Sequence, residues 1–236
     1  MQSEYNSDYS GNKELMDIEV MKNYNYSIVK NAFSKIDNNT SEIIDFGAGI
    51  GTLSSIFRDK FGLNPLCIEI DKENNNILKK RKFNCVKDLK SVSYEVDFIF
   101  SSNVLEHIKD DSSTLISIRD HLKIGGRVYL YLPAKMCLWT SLDESVGHYR
   151  RYEINSLRNK CNLLGFKVLE ICFSDCLGFF ATLFWKFINK KSKHNFASKK
   201  SLIFYDKYIF PISSLLDRLG FKFLFGKNIV LVAEKI

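Results

Sequence analysis

The stretch IIDFGAGIGTLS, Ile43 to Ser54, constrains this chain more than any other. An apolar run of strand character ends in Gly47, Gly49 and Gly51, and the amphipathic TLSSIFRDKFG (52–62) follows at once. Strand, glycine turn and helix, in that order, form the first unit of an open, mainly parallel sheet. Alternate glycines let a ligand approach the peptide N–H groups and the helix N-terminus closely.

The alternation continues along the chain. Strand-like runs occur at 66–70, 84–89 (weakly), 96–102, 125–133, 167–173 and 228–235, and helical patterns at 72–82, 111–122 and 153–166. Residues from Leu15 to Ile36 form one or two further helices, with Val20, Tyr24, Ile28 and Phe33 at helical intervals. The pattern predicts an α/β fold, a sheet covered on both faces. Only 176–227 breaks it, as an insertion before the last strand. At 236 residues the chain suits one domain, and 45% hydrophobic residues with three prolines mark a folded protein.

The formal charge is +7, with lysine well ahead of arginine. Basic KKRK (79–82) falls at the end of the second helix of the alternation, so it is assigned to solvated surface and no nucleic-acid partner is expected. Six cysteines show no CxxC pair and no histidine at zinc-ligand spacing, so no metal is expected. The polar, acidic start is unlike a signal peptide, which points to a cytoplasmic location.

Spacing narrows the ligand. From Gly47 the chain reads G-A-G-I-G-T, with Thr52 where a dinucleotide fingerprint has its third glycine. Asp45 ends the first strand. Glu69 ends the second, near the ~20-residue distance of a ribose-binding carboxylate. Asp88 follows the third, and Asp71, the rival to Glu69, is placed to cap the next helix.

Together with LCIEID, DFIFSSNVLEHIKDD and LKIGGRVYLYLP, these residues resemble the core of class I S-adenosylmethionine-dependent methyltransferases over about 40–175. The resemblance implies a Rossmann-like, doubly wound seven-stranded sheet, mostly parallel with an antiparallel last strand. It divides a single domain into an N-terminal helical lid (1–39), a cofactor core (40–175), an amphipathic helical insertion (176–227) and the last strand (228–236). It further implies that Asp45, Gly47, Ala48, Gly49 and Gly51 hold the methionine end of S-adenosylmethionine. Glu69, with Ile70 beside it, would grip the ribose. Asp88 and Leu89 would border the adenine, and Ser102 and Asn103 the sulfonium. Ile124 departs from the proline common before the paired glycines.

Two histidines are candidates for the base that a hydroxyl acceptor needs. His107 follows the fourth strand in NVLEHIKDD, but a Glu-His pair there is widespread in this family and can instead position the cofactor. His148 follows the fifth strand, and it is the preferred candidate. The stretch LWTSLDESVGHYRRYEINSL, with NYNYSIV, resembles a subgroup associated with bacterial cell-surface polysaccharide clusters. That resemblance implies O-methylation of a sugar or lipid-linked saccharide, with a quinone precursor or a non-catalytic subunit as alternatives. Trp139, Asp143, Tyr149, Arg150 and Arg151 are the substrate-binding candidates. The adjacent arginines either clamp a phosphate or form a salt-bridge network at a helix start.

In the insertion, CLGFFATLFWKFINKK (176–191) carries Phe179, Phe180, Leu183, Phe184 and Phe187 on one face, and FPISSLLDRLGFKFLFG repeats the pattern. With basic KKSKHNFASKK between them, three uses are open: a lid, a homodimer surface, or a patch for an anionic membrane at the inner face.

Overall fold

The computed structural model describes residues 12–37, 40, 42–188 and 198–236. One sheet holds seven strands: β1 (Ile43–Phe46), β2 (Leu66–Ile68), β3 (Cys85–Val86), β4 (Val96–Ser102), β5 (Leu122–Pro133), β6 (Phe166–Ser174) and β7 (Asn228–Lys235). Their order is β3-β2-β1-β4-β5-β7-β6. β1 pairs in parallel with β2 and β4, and β4 with β5, whereas β7 is antiparallel to both β5 and β6. The expected mostly parallel sheet with an antiparallel last strand is therefore the one observed.

Neighbouring residues on each central strand enter different cores, as strand periodicity demands. Ile44, Ile99 and Leu130 join the core covered by α5 (Asp111–Asp120) and α7 (Ile154–Leu163). Ile43, Phe98, Phe100 and Tyr129 join the opposite one, with Phe57 of α3 (Thr52–Phe61) and Tyr24, Ile28 and Val29 of α2 (Lys22–Phe33). Burying each such side chain stabilises the fold by about 1.5–3 kcal/mol. Thus α2 covers the sheet, whereas α1 (Asn12–Ile18) brings Leu15 against the glycine turn. Helix α4 (Lys72–Lys80) follows β2, and Asp71 caps it as expected by accepting the Asn74 N–H at 2.8 Å.

The insertion comprises α8 (Cys176–Ile188), α9 (Lys199–Phe204), a π-helical turn over Tyr205–Ile209 and α10 (Phe210–Arg218). It is pinned at two points. Asp206 accepts the N–H groups of Asn23 and Tyr24 at 3.0 and 2.8 Å, satisfying the open end of α2. Asp175, buried at its base, accepts the Tyr205 and Ser213 hydroxyls at 2.6 and 2.8 Å. The outer side of these helices exposes Phe184 (68%) and Leu219 (71%), with Phe180, Phe187 and Leu215. Most of the basic stretch KKSKHNFASKK lies outside the described residues, as does the polar start. Among the described residues no helix is long and apolar enough to cross a membrane.

Candidate active site

Between β2 and β4 the chain leaves the sheet through the glycine turn. Gly47, Gly49 and Gly51 have φ of 78°, 54° and 80°, a left-handed backbone that costs other residues roughly 1–2 kcal/mol each. Space is equally restrictive. A Cβ on Gly47 would lie 2.3 Å from Val104 Cγ2, and one on Gly49 would lie 3.2 Å from Leu15 Cδ1 of α1.

Glu69, just past β2, ties the turn down. Its Oε2 accepts the Gly49 N–H at 2.7 Å and its Oε1 the Asp71 N–H at 2.8 Å. Each oxygen keeps a further acceptor site. Burial raises the pKa of this carboxyl, and the two backbone donors oppose the shift. Beside it Ile70 is 44% exposed, an apolar surface next to an acceptor. Ala48 donates its N–H to the Ile68 carbonyl at 3.0 Å.

Asp45 points inward. It accepts the Ser54 hydroxyl of α3, and burial pushes its carboxyl up to about 7. Asp88 is exposed and caps the turn Leu89–Ser91, taking the Ser91 hydroxyl at 2.9 Å. Leu89 itself is buried in the main core. Asn103, exposed with φ 53°, donates its amide to the Ser102 hydroxyl at 3.2 Å. The turn, Glu69–Ile70, Asp88 and Ser102–Asn103 therefore follow the carboxyl ends of four neighbouring strands, where open α/β sheets bind ligands.

A second group is assembled beyond β4 and β5. The turn Leu105–His107 meets the loop after α6 (Ser141–Ser145), where Tyr149 donates its N–H to the Glu106 carbonyl at 2.7 Å. The rings of His107 and His148 cross edge to face, 4.5 Å between centroids. His148 Nδ1 lies 2.9 Å from Asp143 Oδ1. Asp143 is the hub: it also accepts Arg151 Nε and Nη2 at 2.8 and 3.0 Å and the Thr140 N–H at 2.8 Å. Burial alone would raise its pKa, but His148 and Arg151 hold it well below the usual carboxylate range. Burial, and then the neighbouring His148, lower His107 to about 4. Burial pushes Glu106, which is 0% exposed, up to about 8.

The family model described as a methyltransferase domain matches residues 20–171. The chain belongs to this methyltransferase family. No curated protein sequence matches it. Solved structures share the fold. An S-adenosylmethionine-dependent methyltransferase from Archaeoglobus fulgidus is 17% identical, with 97% of this chain and 100% of that one covered and a TM-score of 0.62. Phosphoethanolamine N-methyltransferase 2 of Haemonchus contortus, solved with S-adenosylmethionine, is 18% identical over 95% and 57%, at 0.60. Magnesium protoporphyrin IX methyltransferase of Synechocystis, solved with bound S-adenosylhomocysteine, is 14% identical over 100% and 90%, at 0.57.

In this methyltransferase the sequence-predicted residues fall into the two groups just described, with exceptions. The guanidiniums of Arg150 and Arg151 have internal partners. Arg150 reaches Asp111 at 3.0 Å and the Lys109 carbonyl at 2.6 Å, and Arg151 is held by Asp143. The salt-bridge network, not the open phosphate clamp, is the arrangement present. Trp139 donates its indole N–H to Glu144 at 3.1 Å, and Tyr149 is largely exposed. Sequence reasoning gave Glu106 no role of its own and missed Leu15 above Gly49. The Glu-His pair after β4 was the available signal for Glu106; Leu15 had none.

Proposed function

We propose that this methyltransferase moves the methyl group of S-adenosylmethionine to a hydroxyl oxygen of a sugar or lipid-linked saccharide. The observation that carries the reading is the strip of groups at four strand ends with the Asp143–His148 pair beyond it. The residues fit the cofactor. The glycine turn approaches without side chains, Glu69 keeps acceptor sites for a ribose diol, and Ile70 offers an apolar face to a flat ring. Bound there, S-adenosylmethionine supplies an electrophilic methyl on a positive sulfonium.

The chain's part is to align acceptor and methyl group, an effect that can reach about 7–11 kcal/mol in well-oriented systems. As the S–CH3 bond breaks and the O–CH3 bond forms, the hydroxyl proton must leave. His148 is assigned to this activation. With Nδ1–H donated to Asp143, Nε2 carries the ring's lone pair, which takes up either a proton or a cation.

The saccharide acceptor rests on the resemblance around LWTSLDESVGHYRRYEINSL; of the solved structures described above, two are named for other acceptors, phosphoethanolamine and magnesium protoporphyrin IX. Exposed Phe180, Phe184, Phe187, Leu215 and Leu219, with Lys200, Lys207 and Arg218 on the same insertion, favour a lipid-bound acceptor over a free sugar and admit a small lipophilic one. The protein is expected to pellet with anionic vesicles more than with neutral ones, and less in high salt. Equal, negligible pelleting assigns this face to a lid or a second copy of the chain.

Calorimetry with S-adenosylhomocysteine and with NAD tests the cofactor, and a one-methyl mass gain in envelope glycans tests the acceptor. His148→Ala is expected to bind S-adenosylhomocysteine like wild type and to turn over about 10²-fold more slowly. Full turnover removes His148 from the reaction. Binding without transfer to any acceptor class makes the chain a non-catalytic subunit.

A further inference from the structure

Glu106 is an anomaly in the architecture described above. Its side chain is completely buried, and neither carboxylate oxygen has a hydrogen-bond partner. Burying such a group unpaired is costly, and few native side chains remain so without a ligand or an ion to answer them. Beside it stands His148, whose Nε2 is 3.9 Å from Oε1. That is too long for a hydrogen bond, yet short enough for both atoms to share one ion.

His107 completes the set: one donor atom from each of Glu106, His107 and His148 lies within 4.8 Å of the other two. Both imidazoles are already oriented by contacts within the fold. His148 gives Nδ1 to Asp143 at 2.9 Å, and His107 is hydrogen-bonded to the Val146 backbone. Asp143 is in turn fixed by Arg151 and Thr140. An outer layer of this kind is what holds ligating histidines in place at metal centres.

We propose that Glu106, His107 and His148 form a binding site for one first-row divalent cation of the zinc type. Two imidazole nitrogens and one carboxylate suit zinc, cobalt or iron, whereas magnesium and calcium prefer all-oxygen sets. Bonds of about 2.1 Å at tetrahedral angles place donors about 3.4 Å apart, so donor atoms that lie within 4.8 Å of one another have to close by no more than about 1.4 Å. A fourth position stays open. There an acceptor oxygen meets the ion's charge, which lowers the pKa of its proton. Only this last role rests on the methyl-transfer reading; ion binding does not.

The test uses the full chain freed of ions by chelator dialysis. Zinc titrated by calorimetry is expected to bind at one equivalent and to raise the melting temperature. Glu106→Gln and His148→Ala are each expected to weaken binding at least tenfold, while His121→Ala, outside the cluster, leaves it unchanged. Cobalt on the wild-type chain is expected to give visible absorption of a low-coordinate site, a readout that needs no variant to fold. The proposal is overturned if the wild type takes up no stoichiometric zinc and gives no cobalt band. It is equally overturned if both cluster variants bind like wild type, or if His121→Ala weakens binding as much as they do. S-adenosylhomocysteine binding to the same ion-free protein is measured in parallel. If that ligand binds and zinc does not, the ion site fails and the methyltransferase reading stands; if zinc binds and that ligand does not, the reverse holds.

Discussion

At the glycine turn the shape offered to a ligand is a property of the backbone. Three left-handed glycines set it, and one carboxylate, Glu69, fastens it through a main-chain N–H. Around His148 the shape is a property of side chains. Asp143 binds His148, Arg151 and Thr140 at once, and Glu106 and His107 come from a strand end some 40 positions away. Apart from Glu69, the first region lies within a dozen consecutive residues; the second exists only when two loops meet. One is robust to its surroundings and the other is only as firm as its hub.

Removing the hub is therefore expected to produce the largest effect. Asp143→Ala removes a buried carboxylate from the largely covered Arg151 guanidinium and from His148, and breaking such a pair costs about 3–5 kcal/mol. Urea denaturation should show that loss as a lower midpoint, while S-adenosylhomocysteine affinity in the folded variant stays within about twofold of wild type. A loss of cofactor affinity as large as the loss of stability would mean that the two regions are one.

Beneath the turn, Asp45 makes the first region sensitive to pH. Its folded pKa, about 7, exceeds the unfolded value near 3.8, so between these limits the folded state holds a proton that the unfolded state has lost. This contribution is complete below about pH 4 and disappears as pH rises through 7. From pH 5 to pH 7 the wild type is expected to lose up to about 2–3 kcal/mol that Asp45→Asn does not lose, at 1.36 kcal/mol per pH unit. Unfolding free energies measured for both at the two pH values give the difference directly. Parallel slopes would show that Asp45 is ionised in the fold.

The same contrast explains what the sequence disclosed. All seven strands were legible, because each carries its own apolar run, although the third shrinks from 84–89 to Cys85–Val86 at the sheet edge, where pairing is on one side only. The turn and Glu69 were legible because glycine spacing and the distance to the next strand end are local quantities. The partners of Asp45 were not. Its place in the motif suggested the methionine end of the cofactor, but its contacts in the fold are with Ser54 and toward the core. The pairing of Glu106 with His148 was illegible for the opposite reason, since no periodicity links a 3-10 turn after β4 to a loop after α6. Histidine spacing along the chain therefore gave no hint of a metal, while the folded loops bring the two histidines together.

Glu69 gives the smallest effect, and the one that best isolates the first region. Glu69→Ala removes a charged acceptor from the ribose site and from the Gly49 N–H. This is expected to cost about 1.5–3 kcal/mol, a ten- to hundredfold loss of S-adenosylhomocysteine affinity by calorimetry. The informative variant is Glu69→Gln, which keeps shape and polarity. Both Glu69 oxygens accept backbone N–H groups, from Gly49 and from Asp71, whereas a glutamine side chain has only one acceptor oxygen and turns an NH2 toward the other donor. Whichever way the amide is flipped, donor faces donor, so the glutamine variant should bind no better than the alanine one. Affinity restored by glutamine would show that Glu69 serves a ligand hydroxyl alone and that something else fastens the turn.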